Sequence, residues 1–246
     1  MQRCTLILAT LAAGVVSLAG GRASAQPGGA AAVDSRPTVA VMYFGNGAIG
    51  AAHQELAPLS RGIADLLVTE LSRNPGIRVI ERDQLQKLMD EQNLSATDRV
   101  SRETAVQMGR ILGVHHMIFG GFVTDGRGAM RLDARAVNVE TSQIEHVETV
   151  EGQQENLMSM ISALAGKLNR GMKLPEMRHA ARDAGAERAR SVPFRATLLY
   201  SRALQEKDSG NEQRALELLD ASLAQFPDYE PAQRERAKLR PAGSRE

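Results

Sequence analysis

TVAVMYFGNGAIGAAHQEL, residues Thr38 to Leu56, holds the reading on which the fold turns. Val39 to Phe44 is continuously apolar, as in a strand covered on both faces. It runs into Gly45-Asn46-Gly47-Ala48-Ile49-Gly50, which spells G-x-G-x-x-G. A dinucleotide fingerprint needs that pattern to open a helix, so that the first helical N–H groups face a pyrophosphate. It also needs an acidic residue about 20 positions on, at the end of the second strand. Here the next strong helical period begins only near Pro58, and the acidic candidate, Glu81, lies much further along. The stretch reads as a buried strand followed by a glycine-rich surface loop. A nucleotide-binding enzyme using Gly45, Gly47 and Gly50 is the weaker alternative.

Downstream, PLSRGIADLLVTEL places Ile63, Leu66, Leu67 and Leu71 on one helical face, opened by Pro58 or Ser60. Asn74-Pro75-Gly76 then turns the chain. Ile77 to Ile80 predicts a second strand. Asp83 is positioned to cap the next helix, with Gln86 three residues on and Leu85, Leu88 and Met89 facing inward. Ser101 as a cap, Met108 and Leu112 as an inner face and Gly113 as a stop outline a further helix. A third strand, Met117 to Val123, ends in a turn over Thr124 to Gly128.

There the period changes to two. Leu132, Ala134 and Ala136 alternate with Arg131, Asp133 and Arg135, and Thr141 to Gln143 turns the chain into another strand. This predicts a hairpin with one wet face. An amphipathic helix through Leu157, Met160, Ile161, Leu164 and Leu168 closes the unit. The fold class expected is α/β: a mixed β-sheet covered by helices, followed by a short all-α helical hairpin.

The ends of the chain differ in composition. Arg3, the apolar run Thr5 to Gly20 and Ala23-Ser24-Ala25 predict a signal peptide over residues 1–25. Residues 26–37 are Gly-, Ala- and Pro-rich and read as a flexible leader. The α/β domain follows over 38–172. The Arg- and Ala-rich stretch 173–194 reads as a linker or exposed helix. Residues 195–240 match tetratricopeptide spacing, with Leu199, Ala203, Ala215, Leu219, Ser222 and Pro227 at the large, small, small, large, small and proline positions. Glu206 stands where that repeat usually has an aromatic residue. Leu199, Tyr200, Leu219, Phe226 and Tyr229 are the candidate partner-binding residues of this hairpin.

Chemistry is thinly represented. The chain of 246 residues carries a formal net charge of +1, no Trp and 3% aromatic residues. Neither a nucleic-acid stripe nor a base-stacking platform is expected. The single Cys, Cys4, falls inside the segment expected to be removed, which leaves no disulfide and no thiol nucleophile. No other apolar run is long enough to span a membrane. His115 and His116 are adjacent, so on a strand they point to opposite faces and cannot share a metal. His53, His146 and His179 stand in separate segments. No catalytic residue, cofactor or metal site is expected. The exported, soluble context implied is most simply a bacterial periplasm.

The ordered series VAVMYFGN, GIADLLVTELSRNPGIRVIERDQLQKLMDEQNL, TAVQMGRILGVHHMIFGGFV and LDARAVNVETSQI resembles the curli-production assembly (CsgG-type) family from Val39 to Met172. Phe44 and Asn46, Gly62 with Glu70 and Leu71, Glu81-Arg82 with Gln84-Leu85, and Gly109, Gly113 and Gly120 carry the likeness. The resemblance implies a cell-envelope protein acting through protein–protein contacts, with envelope or secretion proteins as partners or copies of itself in a homo-oligomer. The family includes outer-membrane channels that insert two hairpins into the sheet region. Each barrel strand needs about 9–11 residues. Only Thr124 to Ala129 and Val150 to Gln153 stand at those places. The resemblance therefore implies an assembly or secretion accessory module, periplasmic or associated with the outer membrane. A channel subunit is the alternative.

Overall fold

The computed structural model describes residues 34–92, 101–125, 127–176, 185 and 187–239. Its sheet has five strands: β1 (Thr38–Asn46), β2 (Arg78–Val79), β3 (His116–Thr124), β4 (Ala129–Asn138) and β5 (Ile144–Gln153). Their spatial order is β2-β1-β3-β4-β5. β1 pairs in parallel with β2 and β3, and β3, β4 and β5 form an antiparallel meander. The mixed sheet expected from the sequence is present. The α/β class holds.

The helices are α1 (Ala51–Leu56), α2 (Leu59–Ser72), α3 (Arg82–Glu91), α4 (Arg102–Leu112) and α5 (Leu157–Gly171), then α6 (Phe194–Asp208), α7 (Glu212–Gln225) and α8 (Glu230–Leu239). α2 and α5 pack against each other and cover one face of the sheet, on β1 and β5. α4 lies on β3 and β4 from the opposite face. There the Cα of Gly109 comes so close to Val139 that an added Cβ would meet Val139 Cγ2 at 2.5 Å.

Four local devices explain most boundaries. Ser101 Oγ accepts the Thr104 N–H at 3.1 Å at the start of α4, and Gly113 ends it in the left-handed conformation at φ 64°. A register shift between Val41 and Phe44 puts a bulge in β1. Tyr43 lies within the shifted stretch and reaches Gln86 of α3 and Asp208 of α6. The turn between β4 and β5 is closed by Asn138, whose Oδ1 accepts from the N–H groups of Glu140 and Thr141 at 3.0 Å.

Three expectations are corrected. The chain enters a helix at once after Gly50, as the short α1, rather than near Pro58. β2 is only two residues long, not the four from Ile77 to Ile80. α3 begins at Arg82 with Glu81 in the capping position and no side-chain cap, so Asp83 does not cap it. Asp83 instead lies in the first turn and is drawn toward Lys207.

α2 is the pivot of the molecule. Its sequence shows one apolar face, and Ile63, Leu66, Leu67 and Leu71 are fully buried, as that face requires. Yet Gly62, Ala64, Asp65 and Val68 are buried as well. A third layer, α6 with α7 and α8 behind it, packs on the far side of α2. The fit is close: a Cβ on Gly62 would fall 1.8 Å from Ser201 Oγ. Ser222 Oγ in turn donates to the Ala196 carbonyl at 2.8 Å, tying α7 to α6. Residues 187–191 are helical. The signal peptide and leader lie outside the described residues.

Candidate functional site

Where α6 meets α2 and α3, the interface carries a cluster of buried charges. Arg82, the first residue of α3, is 2% exposed and stands at its centre. Its Nη1 donates to both Asp208 carboxylate oxygens at 2.8 Å and to Tyr43 Oη at 3.0 Å. Nη2 donates to Asp83 Oδ1 at 2.9 Å, and Nε lies 3.6 Å from Asp65 Oδ1 without a hydrogen-bond partner. Asp208, the last residue of α6, also takes Arg61 Nε at 2.9 Å. The Arg61 guanidinium sits 5.5 Å above the Tyr43 ring.

Around this centre the pairs continue outward. Tyr200 Oη donates to Asp65, and Tyr43 Oη donates to Gln86. Lys207 Nζ reaches Asp83 at 2.9 Å and Glu235 of α8 at 2.7 Å, and Lys238 also pairs with Glu235 at 2.7 Å. Four cations, Arg61, Arg82, Lys207 and Lys238, face four carboxylates, Asp65, Asp83, Asp208 and Glu235. The seam is therefore close to neutral. A buried pair of this kind adds little net stability over an apolar contact but costs heavily when one partner is removed.

Burial pushes the Asp65 carboxyl up from its ordinary value, against the opposing pull of the Tyr200 hydrogen bond and Arg82. Burial also raises Tyr43, Tyr200 and Tyr229. For Arg82 burial acts in the opposite sense, but Tyr43, Asp208 and Asp65 outweigh it and hold the guanidinium charged. At Asp83 and Glu235 burial is likewise outweighed, by Lys207 with Arg82 in the first case and by Lys207 with Lys238 in the second. Both carboxyls lie below their ordinary values. Each carboxylate is committed to a cation or a phenol, so the arrangement clamps helices together and offers no free general base. A cavity of about 270 Å³ beside it is lined by Asp65, Thr69, Tyr200, Pro231, Glu235 and Lys238 among others.

The candidate partner-binding residues fall into two groups. Tyr200, Leu219 and Tyr229 are buried within this chain. Tyr200 and Tyr229 meet edge to face at 5.5 Å, and Tyr229 Oη lies 3.9 Å from Met158 Sδ on α5. These three serve the chain's own packing. Leu199 and Phe226 are only half-buried and keep part of their surface outward.

The glycine loop satisfies its own polar groups. Asn46 Oδ1 accepts the Ala48 N–H at 2.9 Å, Asn46 Nδ2 donates to the His53 carbonyl at 2.8 Å, and Gly47 N–H donates to the Phe122 carbonyl at 2.8 Å. A Cβ at Gly47 would crowd that same carbonyl at 3.1 Å, so glycine is needed for the approach of loop to β3. His115 Nδ1 accepts the Thr38 N–H, His116 pairs with Glu145, and His146 pairs with Glu148. Among the described residues no group of His, Cys, Asp or Glu is arranged to hold a metal.

The role of Arg82 was not legible as such. Glu81-Arg82 reads as a strand-to-helix turn, and its partner Asp208 lies 126 positions away in sequence. The available signal was Gly62 and Asp65 on the second face of α2, small and polar where a one-sided helix shows only solvent-facing side chains.

The chain matches the model of the family "Curli production assembly/transport component CsgG" over residues 23–170, more than half of its length. It belongs to the CsgG family. No curated protein matches the chain. Among solved structures it is similar to the LpoB C-terminal domain from Escherichia coli, with 20% identity over 51% of this chain and 88% of that one, at a TM-score of 0.36. Lipoprotein GNA1162 from Neisseria meningitidis gives 13% identity over 47% and 79%, at 0.37. The PelC dodecamer from Paraburkholderia phytofirmans gives 12% over 57% and 90%, at 0.35.

Proposed function

We propose that this CsgG-family protein is a non-enzymatic, exported module of the cell envelope that works through protein–protein contacts as an assembly or secretion accessory. The observation that carries the reading is the closure of the family domain by its own C-terminal helices, clamped on α2 and α3 where Arg61 and Arg82 both hold Asp208. That closure covers the outer face of α2, while α4 covers part of the opposite face of the sheet. Leu199 and Phe226, half-buried on the outer helical layer, are offered as partner contacts. The tight connections support an accessory role over a channel. β3 passes to β4 through residues 125–128, and β5 enters α5 through the single turn Gln154–Asn156. Neither holds a pair of membrane-crossing strands of about 9–11 residues each. Among the described residues no helix is long and apolar enough to cross a membrane.

In-cell cross-linking of the tagged protein, with mass spectrometry of the captured peptides and fractionation of the cell, tests this. Capture of envelope or secretion proteins from a periplasmic wash is the expected result. Large assemblies of this chain alone, extracted only by detergent, would replace the accessory reading with the channel.

A further inference from the structure

Asn46-Gly47 is the one place in the chain where glycine follows asparagine. In such a pair no Cβ on the second residue hinders its backbone nitrogen from attacking the asparagine Cγ. An N–Cγ bond forms, the Cγ–Nδ2 bond breaks, and ammonia leaves with the proton of the glycine nitrogen. Water then opens the resulting succinimide at either carbonyl, which leaves aspartate or isoaspartate at the first position. The reaction needs only water and a backbone free to bend.

The fold holds both reacting groups away from that path. Asn46 stands opposite Phe122 at the end of β1, and the Gly47 N–H extends the ladder by donating to the Phe122 carbonyl at 2.8 Å. A nitrogen engaged in this way keeps its proton and cannot swing toward Cγ. The side-chain amide is held as well. Its Oδ1 accepts the Ala48 N–H at 2.9 Å, and Nδ2, the leaving group, donates to the His53 carbonyl at 2.8 Å. The His53 ring closes the loop from the other side, with Nδ1 3.1 Å from the Ala48 carbonyl. Water reaches the place nonetheless, since Gly47 is exposed, Asn46 is half-buried and Ile49 is 86% exposed. The anchorage behind the loop is thin: α1 has six residues, no side-chain cap and one buried residue, Leu56. Segments with so few buried contacts open at a free energy well below that of global unfolding.

We infer that Asn46 is a self-modification site latched by its own loop. Deamidation is suppressed while Gly47 sits against β3, and it proceeds when the loop and α1 lift away. The change is one-way. An aspartate at 46 can still accept from the Ala48 N–H, but it has no hydrogen to give the His53 carbonyl and sets a negative charge against that oxygen. An isoaspartate also lengthens the backbone where β1 ends. Either product loosens the loop permanently. The inference stands apart from the envelope role, which the capture experiment tests.

The test incubates the purified protein at mildly alkaline pH, folded in buffer and unfolded in urea. Peptide mapping by mass spectrometry follows the exchange of NH2 for OH at Asn46 and the isoaspartate it yields. Conversion in urea should be about tenfold faster or more than in the folded chain. His53→Ala removes the ring from the Ala48 carbonyl and leaves residues 46 and 47 unchanged. It should speed the folded-state reaction severalfold and leave the rate in urea as it was. Asn46→Asp, which supplies the product directly, should speed amide exchange over Ala51–Leu56 with the thermal transition retained. Equal rates in the folded and unfolded chain, no conversion in urea, a His53→Ala rate no faster than the wild type's, or unchanged exchange in Asn46→Asp would overturn the proposal.

Discussion

The two faces of α2 are buried by opposite means. Toward the sheet, Ile63, Leu66, Leu67 and Leu71 enter an apolar core, where burying each side chain contributes about 1.5–3 kcal/mol. Toward α6, Gly62 and Asp65 meet Ser201, Tyr200 and the Arg82 cluster. An apolar face holds its neighbour with little regard to register. A charged seam holds it in only one, because any shift leaves buried charges unpaired. The difference teaches that the C-terminal layer is positioned by polarity and the domain is held together by hydrophobic burial.

Breaking the seam at its centre should have the largest effect. Arg82→Ala leaves Asp208 with Arg61 as its remaining cation and Asp65 with only the Tyr200 hydroxyl, for a loss of about 3–5 kcal/mol by urea denaturation. Replacing the group as a whole, with Arg61→Met, Arg82→Met, Asp65→Leu, Asp208→Leu and Tyr200→Phe together, should recover most of that loss. On the other face, Leu67→Ala should cost about 2–5 kcal/mol through the cavity it leaves, with no compensating partner change available. If Arg82→Ala proved nearly neutral, the seam would be a surface contact and the comparison would fail.

A smaller effect separates close approach from charge. Gly62→Ala puts a methyl group 1.8 Å from Ser201 Oγ while leaving every ion pair intact. Overpacking of this kind costs about 1–3 kcal/mol. Ser201→Gly in the same chain should relieve most of it. Limited proteolysis should then show the C-terminal helices loosened in Gly62→Ala and the sheet unaffected.

How far the sequence discloses these regions follows from the range of the interactions. Local and periodic features were readable: the apolar β1, the alternation in β4, the Ser101 and Gly113 caps and the inner face of α5 all fall within a few residues of one another. The burial of the hairpin's Tyr200 and Tyr229 was not readable, because it depends on α2 and α5, far off in sequence. α1 was missed because AAHQEL, only six residues long, has too few turns to show a period. The Arg82–Asp208 contact was invisible for a plainer reason. Charged residues at a turn and at a helix end ordinarily face solvent, and nothing local marks the two that do not.

The smallest effect concerns pH, and its sign differs within the seam. Glu235 is held below its ordinary value in the folded chain, so its contribution is present above the unfolded pKa, about 4.3, and is lost as pH falls through the folded one. Asp65 is held above its ordinary value, so its contribution is present below the unfolded pKa, about 3.9, and is lost as pH rises through the folded one. On acidification the two therefore act against each other. Glu235→Gln should flatten the acid-side fall of unfolding free energy, while Asp65→Asn should steepen it, whatever each substitution does to stability at neutral pH. Urea titrations at a series of pH values read the slopes directly. Equal slopes in both variants would mean that the seam is wet enough to erase the burial of Asp65, and its polarity would then no longer set the register of α6 on α2.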